Sequence, residues 1–185
     1  MAVVGAGVEQ GILIAIGLSL LRHVNHSYRP HSAVLAPDAN GRWEPAPASP
    51  GSETTAGLIV YRFGADLFFA NADRFAEEVE ALVAGAPHPV RCFVIDAAAI
   101  TDIDYSAART LHALLADLDR RGSTVTIARA NEFLRADLTR HGVTALLGAS
   151  RIFATPHEGL AAAHAIGDGE AKHARDADGI GQLRG

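Results

Sequence analysis

One stretch constrains the fold more than any other. The apolar run Cys92-Phe93-Val94-Ile95 ends at Asp96, and a short loop later the pattern changes from strand-like to helical. Leu111, Leu114, Leu115 and Leu118 recur at i, i+3, i+4 and i+7, the spacing of one helix face. Val90 to Ile95 is apolar on both alternating faces, which predicts a strand in the middle of a sheet. Between them lies an acidic, hydroxyl-bearing loop ending in Ile100-Thr101-Asp102-Ile103-Asp104. Asp104 is the natural N-cap of the helix, with Asp102 a second candidate. Ser106 then falls in the first turn, where unmet backbone N–H groups suit an anion or phosphate.

The same unit repeats along the chain. Leu58 to Phe63 and Leu67 to Ala70 read as two short strands joined by the break at Gly64-Ala65. A helix opening at Asn71 or Ala72 carries Phe75, Val79, Leu82 and Val83 on one side and closes at Gly85 and Pro87-His88-Pro89. Val125 to Ala128 is a further strand. Asn131 caps a helix bearing Phe133, Leu134 and Leu138, and Val143, Leu146 and Leu147 form a short apolar cluster. Ile152 to Ala154 is a last brief strand, followed by a helix that starts at Thr155-Pro156 with Glu158 in its first turn. Strands alternating with helices predict an α/β sandwich with a mostly parallel sheet of four to five strands and about four helices.

Composition narrows the function. A formal net charge of −5 in 185 residues leaves no basic footprint for nucleic acid. The single cysteine, Cys92, excludes an intramolecular disulfide and any zinc site built on several cysteines. His23, His26 and His31 have no acidic or thiol ligand beside them, so no metal site is expected.

The N-terminal part differs from the rest. Gly11 to Leu21 is apolar around every face, too short to cross a bilayer core that takes about 20 residues, and is followed by Arg22, His23, His26, Arg29 and His31. Positive charge directly after an apolar segment suits the cytoplasmic end of a membrane helix. A stretch dense in Pro, Gly, Ala and Ser from Ala36 to Ser52 reads as a tether. The expected organisation is residues 1–22 as the remnant of a last transmembrane helix, 23–56 as a juxtamembrane segment and Pro-rich linker, 57–167 as the folded domain and 168–185 as a disordered tail.

The order of elements, and the strand-loop-helix carrying Asp104-Tyr105-Ser106, resemble the STAS domain of anti-sigma-factor antagonists and of SulP-type sulfate permeases. The permease branch fits better. Gly7 to Ile12 and Ser19 to His23 resemble the end of the last membrane helix of those transporters, and Val60 to Phe63 with Leu67 to Ala72 resembles the opening of their STAS domain. The resemblance implies a regulatory and assembly domain, not an enzyme, on the cytoplasmic side of the cell membrane. Its partners would be the transmembrane part of its own sulfate or related anion transporter and a regulatory protein, with no nucleic acid. It requires no cofactor, and implies GTP/GDP or ATP/ADP as a weakly held ligand. The residues expected at that site are Asp102, Ile103, Asp104, Tyr105, Ser106 and Ala107.

In the antagonist branch the position of Ser106 is phosphorylated by a partner kinase, and a freestanding phosphoswitch protein is the alternative reading. Here Tyr105 is bulkier than the family's usual small residue and Ala107 stands in place of a glycine, which counts against switching at Ser106. A catalytic reading from Ser106, His112 and Asp96, Asp102 or Asp104 is weaker still. Ser106 and His112 fall on different faces of one helix, and no Gly-x-Ser-x-Gly elbow is present. No Gly-x4-Gly-Lys-Ser/Thr phosphate loop occurs either.

Overall fold

A computed structural model describes residues 7–28, 30–38, 42–155, 158–159 and 161–162. The tail expected at 168–185 lies outside them. The chain forms two units, Met1–Pro30 and His31–Gly185. The first contains helix α1, Gly7–Tyr28, in which Ile12, Leu13, Ile14, Ile16, Leu18 and Leu20 are all more than half exposed. The helix runs through the basic residues after Leu21, past the boundary expected at residue 22. At 22 residues it measures about 33 Å at 1.5 Å per residue. Among the described residues no helix is long and apolar enough to cross a membrane.

The second unit is built on a five-stranded mixed sheet. Its strands are β1 (Ala33–Pro37), β2 (Trp43–Pro47), β3 (Leu58–Arg62), β4 (Cys92–Asp96) and β5 (Thr124–Ala128), in the order β2-β1-β3-β4-β5. β3, β4 and β5 are parallel, while β1 runs antiparallel to both neighbours. All five residues of β4 are buried, as its apolar pattern predicts for an interior strand.

Two helices connect the parallel strands, α2 (Ala72–Gly85) and α3 (Tyr105–Arg120). Together with α4 (Glu132–Arg140) and α5 (Val143–Leu147) they enclose the main core. Ile59, Tyr61, Phe93, Ile95, Val125 and Ile127 supply the sheet side, and Phe75, Val79, Leu82 and the four periodic leucines of α3 the helix side. Alternate residues, Leu58, Val60, Cys92, Val94 and Ala128 with Leu35, form a smaller cluster on the opposite face. There Thr155 and Glu158 make the reciprocal capping bonds of a helix start, each 3.3 Å long. Gly159 packs so closely on β5 that a Cβ would come within 2.8 Å of Ala128 Cβ.

Three sequence expectations are corrected. The stretch 23–56, expected to be a juxtamembrane segment and linker, supplies β1 and β2, so the sheet begins well before residue 57. Proline is incompatible with an interior strand but tolerated at an edge, and β2 is an edge strand exposed along its whole length. Leu67 to Ala70 is not a second strand. Leu67 makes one parallel bridge to Ile103, and the chain turns directly into α2. Ile152 likewise makes a single bridge, to Ile127, and no strand. On α4, Leu134 and Leu138 are buried while Phe133 is 69% exposed.

Candidate functional site

The loop before α3 is held by local polar bonds. The N–H of Leu67 donates to the Asp102 carbonyl at 3.2 Å and the N–H of Asp104 donates to the Leu67 carbonyl at 3.1 Å, so the loops after β3 and β4 pair side by side. Asp66 Oδ1 accepts from Thr101 N at 2.6 Å, Thr101 Oγ1 at 2.8 Å and Asp102 N at 3.1 Å. Asn71 closes the other side, its Nδ2 donating to the Asp66 carbonyl at 2.9 Å and its Oδ1 accepting from Phe68 N at 3.0 Å.

Asp104 occupies the N-cap, as its place before the helical pattern predicts. Its Oδ1 accepts from Ala107 N at 2.8 Å and its Oδ2 from Phe69 N at 2.9 Å, so one carboxylate caps α3 and holds the turn into α2. The helix start keeps two N–H groups without an acceptor among the described residues, those of Tyr105 and Ser106.

The six expected site residues therefore separate into two groups. Ile103 and Ala107 are buried, Ile103 in the core and Ala107 with its N–H already bound to Asp104, so neither side chain faces a ligand. Asp104 is committed to its two backbone partners. Asp102, Tyr105 and Ser106 are exposed. Ser106 lies in an open groove between α2 and α3 with Phe69, Asp73, Arg109 and Thr110. Arg109 also lines the adjoining hollow formed by Tyr105, His112 and His141, and it has no ion-pair partner among the described residues. Arg109 was legible only as a polar position on α3; its place one turn below Ser106 is the signal that marks it.

No Ser-His-Asp arrangement is assembled from the catalytic candidates. His112 Nε2 lies 3.0 Å from the His141 carbonyl, and Asp96 is bound by arginines. Among the described residues no group of three or more His, Cys, Asp or Glu could hold a metal ion. The side chains of His23 and His26 lie outside the described residues.

Residues 49–159 match the STAS domain family. Over 156 residues the chain is 34% identical to the probable sulfate transporter of Mycobacterium tuberculosis, an alignment that covers 83% of this chain and 28% of that protein. The chain thus spans under a third of the length of that relative. Its fold is similar to part of the murine anion transporter solute carrier 26 family member A9, with a TM-score of 0.70 and 17% identity over 84% of this chain and 26% of the other. It also resembles a sulfate transporter family protein from Wolinella succinogenes, with a TM-score of 0.55 and 20% identity over 65% of this chain and 98% of the other. With the matched segment covering the sheet from β3 onward and the helices packed on it, this chain belongs to the STAS domain family.

Proposed function

We propose that this chain is the cytoplasmic regulatory and assembly domain of a membrane transporter for sulfate or a related inorganic anion, and that it performs no catalysis. The observation that carries this reading is the 34% identity to the probable sulfate transporter of Mycobacterium tuberculosis across 83% of the chain. Helix α1 adds to it. A helix with apolar side chains exposed on all sides is stable only where lipid or other helices cover them. In the full-length protein, deleting residues 31–167 abolishes regulated sulfate uptake while the membrane part is still inserted. Unchanged uptake of labelled sulfate at equal membrane abundance would overturn the reading.

A nucleotide is the ligand we assign to the α3 start. The free N–H groups of Tyr105 and Ser106 offer a phosphate about 0.3–1 kcal/mol from the helix dipole at an exposed site, and Arg109 supplies a cation one turn away. Asp102 opposes the bare anion, so affinity is weak, of the order of 1 mM. Titration of labelled protein with GTP, GDP, ATP or ADP shifts the amides of Ile103 to Arg109; no shift there at several millimolar removes the nucleotide from the proposal. The alternative, a freestanding phosphoswitch, has the exposure of Ser106 in its favour and the transporter relatives against it.

A further inference from the structure

A second polar cluster lies at the carboxyl ends of the parallel strands and is separate from the α3 loop. Arg62 ends β3 and Asp96 ends β4 directly opposite it in the parallel register; Asp96 in turn pairs with Ala128 of β5, and Arg129 is the next residue. Asp96 is only 2% exposed. Its Oδ2 accepts from Arg62 Nε at 2.8 Å, and Arg129 grips it side-on, Nε to Oδ1 at 2.5 Å and Nη2 to Oδ2.

The charges do not cancel. One carboxylate faces two guanidinium groups, leaving a surplus of one positive charge. Each guanidinium carries five N–H donors, so of ten in the pair three are spent on Asp96, and no other acceptor among the described residues takes the rest. The arginine side chains are 34% and 30% exposed, whereas the side chain of their anchor is only 3% exposed.

Arg129 supplies an independent sign of purpose. Its φ of 59° is the only left-handed backbone at a non-glycine residue among those described. That conformation is disfavoured for residues with a Cβ, and it persists where surrounding contacts enforce it. Here it coincides with the bidentate grip of Arg129 on Asp96 directly after β5. A single bidentate arginine already neutralises the carboxylate; the second leaves one guanidinium charge unneutralised at the strand ends. Planar guanidinium forks fixed in orientation match the edges of a tetrahedral oxyanion, and ligands of open parallel sheets gather at the carboxyl ends of the strands.

We infer that Arg62 and Arg129, oriented by the buried Asp96, form a binding site for a small tetrahedral oxyanion, either inorganic sulfate or phosphate or the phosphate of an ester. The site does not depend on the nucleotide reading of the α3 start.

The test follows the arginine Nε–H resonances and the unfolding temperature of the whole chain at constant ionic strength, replacing chloride by sulfate, by phosphate or by ADP. Sulfate or phosphate shifts the Arg62 and Arg129 Nε–H signals saturably and raises the unfolding temperature. Arg62→Gln or Arg129→Gln weakens the affinity at least tenfold, and Arg121→Gln, at a surface ion pair, leaves it unchanged. A response to ADP alone identifies a phosphate ester as the ligand. Nε–H signals unmoved by all three ligands at roughly 10 mM overturn the site. ADP shifts confined to Tyr105 to Arg109, with the Arg62 and Arg129 signals unmoved by sulfate and phosphate as well, overturn it too and support the α3 reading instead. Should a glutamine variant not fold, the wild-type Nε–H titration decides.

Discussion

Tyr61 is fully buried in β3, against Phe75 at 5.7 Å and Phe93 at 6.0 Å between ring centroids, and its hydroxyl donates to Glu78 Oε2 at 2.6 Å. Burial first, then the hydrogen bond to Glu78 and its charge, raises the phenol far above its ordinary value of 10.0. The folded chain therefore keeps the proton at pH values where the unfolded chain releases it. This contribution is intact below about pH 10 and is lost as pH rises further, at up to about 1.4 kcal/mol per pH unit. Urea unfolding between pH 8 and 11.5 reads that fall in the wild type, and Tyr61→Phe flattens it. Equal alkaline slopes in the two proteins would show that Tyr61 ionises as freely folded as unfolded. The same pairing of a buried anchor with a more exposed partner recurs at Asp96, where the anchor is the carboxylate and the partners are arginines.

Strand β2 illustrates how an element's position decides what its sequence means. The bonds Asp38 N to Arg42 O at 2.7 Å and Ala48 N to Ser32 O at 3.5 Å fix which residues of the hairpin face inward. Antiparallel pairing alternates, so Arg42, Glu44, Ala46 and Ala48 turn their backbone groups toward β1, and Trp43, Pro45 and Pro47 turn theirs outward. Two of the three outward positions are prolines and present no N–H. The free edge of the sheet is thus poorly able to accept another strand, a common protection against association. Pro45→Val with Pro47→Val restores both donors, and its expected outcome is concentration-dependent self-association by light scattering. A double variant that stays at the wild-type mass at high concentration would show that the prolines do not guard this edge.

At the scale of the whole molecule, the extent of the folded unit is the question with consequences for any experiment. Val34 is buried in the main core and Leu35 in the smaller one. Thr54 ties β1 to β3, its Oγ1 donating to the Leu35 carbonyl at 2.7 Å and accepting from Val60 N at 2.8 Å. A fragment starting at His31 keeps these bonds and unfolds cooperatively. One starting at Glu53 loses β1 and β2, and with Val34 and Leu35 at about 1.5–3 kcal/mol each is less stable by about 3–6 kcal/mol. Denaturant unfolding of the two fragments compares them directly; equal midpoints would place the first strands outside the cooperative unit.

Periodicity and capping residues were enough to determine much of this protein. The central strand β4, the buried leucines of α3, the Asp104 and Asn131 caps and the Thr155–Glu158 helix start are local features, each set by residues within a few positions of one another. The α/β class and the STAS resemblance followed from their order. What the chain alone left open depends on partners far away in sequence. Pro45 and Pro47 belong to a strand because an edge needs no inward donor from them, and the edge exists only once β1 has paired with β3. Ile103 sits in a loop rich in polar residues yet is buried, because Leu67 bridges to it across 36 positions. Arg62, Asp96 and Arg129 share no motif and are 33 or 34 residues apart. Parallel register alone places them side by side, because adjacent strand ends meet only after two helical crossovers have brought the chain back.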